Sequence, residues 1–510
     1  MDYRKQIEKL LADPNQLIKK KPFTRGFEAG KCYGGKLSGV NDLLDAILPS
    51  FRKEIVSQDT FMRELNPYSH DVLFDENIPS ICMKLKDGGY VDIQYQKASL
   101  PFQKRIKNKQ LLHLTGNKMV FTLVDKNPDQ KIKDGFVTFK QYWDARNQDG
   151  MKNKMVDTQL SYGDAGLLYY FDRHGSIKSR ILSYADGYVL CPHNDRNEDR
   201  ILESVYYMED DIEYIDSYDD EYVYRHRRGG LDEEGKDVDG WILESVEKHG
   251  FEEIPLITKR GDVAWNDVQH IITAYEILYN VFNAIQRRHG WGLLYIKGKF
   301  DPKAQKIAGS IILNDTSLEG KGDAKFLTPP NPEGTIETLQ LLFESIQLGS
   351  STTFLLPKDI KTNGDISGIA IQLTQSLDIE NALQKVIEWQ NVADKMVRLF
   401  KYGLSKELTE KGIDETAVTD FARINITGKF KVWRPMNDYE YNQMLTILTG
   451  AGILSKETGI EKNTESTPDE EERITREEEI REEKALQTMQ AQQAITQQNN
   501  NKNNNDDGVV

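Results

Sequence analysis

No run of about 18 apolar residues occurs in the chain, so a membrane-crossing helix is not expected. The opening stretch, Met1 to Leu10, reads as an amphipathic helix rather than a charged-then-apolar leader, and neither membrane nor secretion is indicated. Cysteine is scarce. Cys32, Cys82 and Cys191 stand far apart and form no CxxC pair, which argues against a disulfide framework and for a reducing compartment. Cys191 and His193 lie two residues apart, but no second Cys or His pair completes a tetrahedral metal set. The eight histidines include no HExxH. A working phosphate loop is also missing: Gly30-Lys-Cys-Tyr-Gly-Gly-Lys-Leu37 puts Leu37 where a hydroxyl must reach the metal. An ATP-driven motor is therefore not expected, and no cofactor, metal site or catalytic residue is assigned. Positive charge is in deficit, with a formal net charge of −15. A protein that grips duplex DNA neutralises phosphates with Lys and Arg, so any contact with DNA is expected to be a passing one.

What the chain does have is helical period. From Gly368 to Tyr402, Ile369, Leu373, Leu377, Leu383, Val386, Ile387, Ala393, Met396, Val397 and Phe400 recur mostly at three- and four-residue steps without a proline. Such a helix runs for roughly 50 Å, and the rest of the chain is organised around it. Ahead of it, Glu333 to Leu348 predicts a shorter amphipathic helix with Ile336, Leu339, Leu342, Phe343 and Ile346 on one face, after Pro329, Pro330 and Pro332. Between the two helices lies Gly349 to Ser367, rich in Ser, Thr and Gly. It exceeds the ~12 to 15 residues beyond which a structureless loop is usually functional or disordered. Asp365 or Ser367 is placed to cap the long helix, and Gly368 and Ala370 are small enough for a neighbour to approach closely.

Elsewhere, Val40 to Leu48 makes a helix face that stops at Pro49, Tyr90 to Tyr95 reads as a strand, and a helix runs through Phe139, Tyr142 and Trp143 towards Met155. A strand meander leads on to about Lys259, with strands at Leu167 to Phe171, Ser176 to Tyr184, Ile201 to Met208, Glu221 to Arg227 and Trp241 to Val246. Asp262 to His289 predicts a second long helix ended by Gly290, in which Arg287, Arg288 and His289 complement the negative end of the helix dipole. Trp291 to Lys297 and Ile311 to Leu313 read as strands, and Arg423 to Trp433 as strand-like. Pro435-Met-Asn-Asp-Tyr-Glu440 starts a helix, which Gly450 to Thr458 caps before another begins. Trp389 and Trp433 are expected in the core. Acid dominates beyond Pro468, and the Gln- and Asn-rich end is expected to be disordered. The cluster Glu209, Asp210, Asp211, Glu213, Asp216, Asp219 and Asp220 reads as a solvated hairpin; the alternative is a two-metal site for phosphodiester cleavage, which would make the chain a metal-dependent nuclease.

Helix, long polar loop, then Asp365-Ile-Ser-Gly-Ile-Ala-Ile371 opening a long helix resembles the core of tailed-phage portal proteins of the SPP1-like siphophage type. The resemblance extends to the order of Leu114-Thr-Gly-Asn-Lys-Met-Val-Phe-Thr-Leu123, a helix, Gly163-Asp-Ala-Gly-Leu-Leu-Tyr-Tyr-Phe-Asp172, the meander and Glu253-Ile-Pro-Leu-Ile257. It also covers Pro435 to Glu440 and the Gly452-Ile-Leu-Ser-Lys-Glu-Thr458 turn. The resemblance implies an α+β portal fold. Its parts would be a mixed α/β wing (1–261), a stem helix (262–290), a small α/β clip (291–332), a second stem helix (333–348), a tunnel loop (349–367), the spine helix (368–404), a connection (405–435), a helical crown (436–485) and a tail (486–510).

It further implies a homo-oligomeric ring, dodecameric in the family, at one capsid vertex of a virion and assembled in the host cytoplasm. Double-stranded DNA would pass through the channel in packaging and ejection. The implied partners are the terminase large subunit, a head-completion or adaptor protein of the head–tail connector, and the major capsid and scaffold proteins, and no enzyme activity is implied. In the loop, Thr352, Thr353, Lys358, Lys361, Asn363 and Asp365 are the candidates to meet DNA. Lys358 and Lys361 come first, because isolated cations in an acidic lumen touch phosphates without arresting the duplex. Ser367, Gly368 and Ala370 would start the spine, and Phe354, Leu355 and Leu356 are expected to pack against it or against a neighbour's loop. A helical scaffold or filament protein is a further alternative, and it would form open polymers rather than closed rings.

Overall fold

The computed structural model describes residues 57–76, 78, 81–84, 90–93, 96–125, 128–194, 197, 199–210, 212–229, 241–289, 293–297, 311–315, 323–327, 333–354, 372–412, 424–435, 438–462, 474, 476, 480 and 489. The helix ending at Pro49, the Gly30–Leu37 motif and the Gln- and Asn-rich end lie outside them. The chain divides into two units, Met1–Leu355 with Gln375–Trp433, and Leu356–Thr374 with Arg434–Val510.

The first unit is α+β. It opens with helix α1 (57–65) and the antiparallel pair β1 (Ile81–Lys84) and β2 (Tyr90–Ile93). Helix α2 (Phe102–Thr115), strand β3 (Val120–Leu123) and helices α3 (Gln130–Ala145) and α4 (Gln148–Tyr162) come next. The periodicity through Trp143 predicts a single helix here, but two form. Asn147 stands at φ 49°, in the left-handed region that asparagine tolerates better than most residues, and breaks the run. Across the break the Trp143 indole donates to Asp149 Oδ2 (3.1 Å), while Asp149 Oδ1 accepts from the Met119 N–H and the buried Lys152 ammonium.

The meander is larger than patterning predicts. Strands β4 (Asp164–Phe171), β5 (Ile177–Leu182), β6 (Val189–Asn194), β7 (Arg200–Glu209), β8 (Ile212–Tyr218), β9 (Tyr222–Arg228), β10 (Trp241–Lys248) and β11 (Leu256–Arg260) form two sheets, ordered β10-β9-β8-β7-β6 and β11-β4-β5, all pairs antiparallel. Strand β8 carries part of the acidic cluster and sits in the middle of its sheet, so the solvated-hairpin reading holds for exposed Glu209, Asp210 and Asp220 and is corrected for Asp216 and Asp219. Asp216 is buried and takes a two-point ion pair from Arg225 (3.0 and 3.3 Å), and Glu213 pairs with Arg228 (3.0 Å). Buried Asp219 accepts the backbone N–H groups of Glu221 and Tyr222 at the β8–β9 turn. These carboxylates hold the sheet together rather than facing solvent. Buried Cys191 lies in β6.

Helix α5 (Gln269–His289) begins later than its periodicity from Asp262 predicts: buried Val263, Ala264 and Trp265 come before it, and a 3-10 turn at Asn266–Val268 leads into it. Strands β12 (Leu293–Lys297), β13 (Ile311–Asp315) and β14 (Asp323–Leu327) form a sheet of order β13-β12-β14, with β12 and β13 parallel. Helix α6 (Glu333–Gly349) matches its expected bounds within a residue. Helix α7 (Ser376–Glu410) runs 35 residues, about 50 Å. Its uninterrupted run starts after Gln375 and continues past Tyr402, where buried Leu404, Glu407 and Leu408 keep the period. Strand β15 (Ile426–Lys429) pairs with β3.

The core gathers on α7 from Trp389 onward, where Trp389, Ala393, Met396, Val397, Phe400 and Leu404 are buried. Phe400 meets Trp143 and Phe139 edge-on, with ring centroids 5.3 and 5.8 Å apart. Gly403 is required by close approach: a Cβ there would lie 2.2 Å from Ile177 of β5.

In the second unit, α8 (Asp438–Gly450) ends on Gly452 at φ 69°, with the Ile453 N–H reaching back to the Leu448 carbonyl (3.0 Å). Ser455 then caps α9 (Lys456–Lys462), accepting the Thr458 N–H (3.1 Å). The stop-and-restart expected between Gly450 and Thr458 is thus built from a glycine cap and a serine cap.

One buried polar cluster ties α5 to the segment before α2. The Glu276 carboxylate accepts from His70 Nδ1 (2.8 Å) and the Leu100 N–H (2.7 Å), and His70 Nε2 donates to the Glu64 carbonyl (2.7 Å). Neither acceptor carries a hydrogen of its own when Glu276 is ionised, so the imidazolium satisfies both contacts. Burial pulls the His70 pKa down, but the Glu276 hydrogen bond and charge outweigh it and leave the pKa raised above 6.5. A raised folded-state pKa gives stability that is complete below the unfolded value near 6.5 and is lost as pH rises through the folded value. The melting temperature is therefore expected to fall as pH rises above 6.5, and His70→Gln to flatten that slope; an identical slope in the variant would exclude His70 as its source.

Candidate functional site

The site is made of the two ends that flank the polar stretch between α6 and α7: Ser350 to Phe354 and the first turn of α7. Gly349 ends α6 against Val268, whose methyl would stand 2.7 Å from a Cβ at that position. The chain then turns sharply. Ser350 returns its N–H (3.0 Å) and hydroxyl (2.7 Å) to the Ile346 carbonyl, Ser351 takes φ 47°, and the Thr352 N–H bonds the Gln347 carbonyl (3.0 Å).

Three polar side chains hold the segment from Ser350 to Phe354. Asp378, in the first turn of α7 and 4% exposed, accepts the Thr353 N–H on its two oxygens (3.2 Å each). Gln347 Oε1 accepts the Phe354 N–H (2.7 Å). From α2, Gln110 donates to the Ser350 (3.0 Å) and Ala264 (3.3 Å) carbonyls and accepts from the Lys385 ammonium of α7 (2.6 Å). Phe354 is buried beside Phe343 and Phe102, with the Arg105 guanidinium 4.9 Å from its ring centre. Departure and return are thus joined at Thr353 and Asp378, and α2, α6 and α7 meet there. Burial raises the Asp378 pKa against the lowering influence of Lys109, and burial pulls Lys385 down to about 8 despite Glu388 and Asp262.

Of the loop residues singled out in the sequence, Thr352 is 0% exposed, its hydroxyl donating to the Ser350 carbonyl (3.0 Å), and Thr353 acts through its backbone. Thr352 is an anchor of the root rather than a group turned outward, and half-buried Thr353 is tied there by its N–H. Lys358, Lys361, Asn363, Asp365, Ser367, Gly368 and Ala370 lie outside the described residues, as do Leu355 and Leu356. Phe354 packs within its own chain, and Trp389 is buried against Phe430. Gln110 and Asp378, which fix the root, carry no mark in the sequence: a polar residue on an amphipathic helix gives no sign that its partners lie far along the chain.

No curated protein matches the chain. Among solved structures, it is similar to a chain in the neck of an empty GTA particle computed with C6 symmetry, at 13% identity and a TM-score of 0.34, covering 70% of this chain and 88% of that one. It is likewise similar to a chain in the virion of a native gene transfer agent (GTA) particle, at 13% identity and a TM-score of 0.30, covering 70% and 86%. Both likenesses are too distant to bear on function. The family described as "Phage portal protein, SPP1 Gp6-like" matches over residues 91–493, which takes in α2, both sheets of the meander, the loop root and α7. The chain belongs to the SPP1 Gp6-like phage portal protein family.

Proposed function

We propose that the chain is the subunit of a closed ring at one capsid vertex, through which double-stranded DNA enters during packaging and leaves during ejection. The observation that carries this reading, given the family, is the loop root. A long polar excursion tied at Thr353 and Asp378 between two long helices is suited to project into a channel while its base stays fixed. In this reading α5 and α6 are the stem, the sheet of β12 to β14 the clip, α7 the spine of the wing, and α8 and α9 belong to the crown. The terminase large subunit would dock first and head-completion proteins later. Capsid and scaffold proteins would surround the ring, with assembly in the host cytoplasm. The role is mechanical and positional, with no catalysis by this chain.

Exposed apolar side chains on the helices support a ring. Leu377, Leu383 and Ile387 on the N-terminal half of α7 and Leu341 and Leu348 on α6 are open to solvent in the single chain, Ile387 at 77%. A neighbouring copy would bury them at roughly 25 cal/mol per Å². Negative-stain microscopy with mass by light scattering tests the reading: closed rings with a central hole are expected, and open filaments would favour the scaffold alternative. Ile387→Glu is expected to shift the rings to monomers while leaving the monomer's melting temperature within about 2 °C, since an exposed side chain contributes little to its own fold. Unaltered rings in this variant would remove α7 from the interface.

A further inference from the structure

We propose that the outward face of α2 around Lys104, Arg105 and Lys109 is a phosphate-contacting surface, and that its partner is the duplex in the channel; this rests on the portal reading. The sequence between Asp92 and Asp125 holds no Asp or Glu but six cations, Lys97, Lys104, Arg105, Lys107, Lys109 and Lys118, in a chain whose net charge is −15. Three of the six are taken. Lys97 donates to the Asp75 carbonyl, Lys107 pairs with Asp157 (2.6 Å), and Lys118 pairs with Asp144 (3.1 Å). Among the described residues, Lys104, Arg105 and Lys109 have no carboxylate within ion-pair distance.

At 100° per residue these three positions span an arc of roughly 140° on α2, with exposed Asn108 between them as a neutral donor. Lys104 and Arg105 are exposed and Lys109 is half-buried. The face also has a fixed place. Arg105 lies over Phe354 at 4.9 Å, and Lys109 is attracted by the carboxylate of Asp378, the residue that holds Thr353. The cations without an ion pair therefore flank the loop root from α2. Burial lowers the Lys109 pKa, and a phosphate oxygen close by would favour its charged form. Cations spaced along one helix, with no bidentate site and no base-reading fork, fit a backbone contact that is independent of sequence.

The test uses the full-length chain and a short mixed-sequence duplex at low salt. Lysine acetylation read by mass spectrometry should show Lys104 and Lys109 protected several-fold by the duplex, with Lys131 and Lys133 on α3 unprotected. In Lys104→Glu with Lys109→Gln, the slope of log affinity against log salt should flatten by about two, since each phosphate left without its cation removes near 0.9 from the slope. Arg105→Lys, which keeps the charge, should leave the slope unchanged, and equal melting curves exclude misfolding as the cause. Protection confined to Lys358 and Lys361, with an unaltered slope in the double variant, would overturn this surface and leave the portal reading intact. Absence of any duplex binding would overturn it too. Protection of Lys104 without DNA, lost when the chain is ended at Lys462, would assign the face to the acidic stretch from Asp469 to Glu483 and overturn the proposal. Failure of the portal reading itself would show separately, as the absence of closed rings.

Discussion

Glu407→Gln is expected to cost about 3 kcal/mol of stability, among the largest effects of any single change in the chain. Glu407 is 2% exposed and takes contacts from three directions: Arg146 Nη2 (2.7 Å), Lys411 Nζ (2.6 Å) and the Ile177 N–H (3.0 Å). Burial alone would raise its pKa, but the hydrogen bonds from Arg146 and Lys411 outweigh burial and hold the carboxyl down to about 2. A depressed folded-state pKa gives stability that is present above the unfolded value near 4.5 and lost as pH falls towards about 2. Glutamine keeps the volume but strands the Arg146 guanidinium against β5, so the loss appears at neutral pH. Urea unfolding at pH 7 and pH 3 checks both parts. The variant should be weaker at pH 7, and the gap from the parent chain should narrow at pH 3; a constant gap would mean that charge is not the origin.

Phe400→Ala is the second large effect, at about 3 to 5 kcal/mol. Phe400 is fully buried, and its ring meets those of Trp143 and Phe139 edge-on, so truncation leaves a cavity bordered by rigid rings that cannot collapse into it. The three rings come from α3 and α7, and the cavity would loosen the joint between them. Thermal unfolding should show the loss, with Phe400→Leu recovering more than half. Equal melting of Phe400→Ala and the parent would place the stabilising core elsewhere.

Much of this architecture is visible in the sequence where burial keeps to a single face. Helix α6 is legible almost to the residue, because Leu339, Phe343 and Ile346 recur with helical spacing after a proline-rich start. Helix α7 is legible in its middle and less so at its end, where the buried stripe runs on through Leu404 and Leu408 but also takes in the charged Glu407. Strand β8 fails for the same reason. Asp216 is acidic yet buried, and the Arg225 that neutralises it comes from the next strand. Strand β6 holds Pro192 in its middle and so reads as a break. The root of the stretch between α6 and α7 is not legible, since Gln110 and Asp378 acquire their roles only when α2, the end of α6 and the start of α7 come together. The acid-free run along α2 is readable and yields its meaning only once Phe354 is seen under Arg105.

The central claim is that the excursion anchored at Thr353 and Asp378 lines the hole of a closed ring. Class averages of the full-length chain should be compared with those of a variant in which residues 356–364 are replaced by a short Gly-Ser linker. The account predicts closed rings of the same outer diameter in both, with a wider central hole in the variant. Rings whose hole is unchanged while density is lost from the rim, or open filaments in the parent chain, would contradict it.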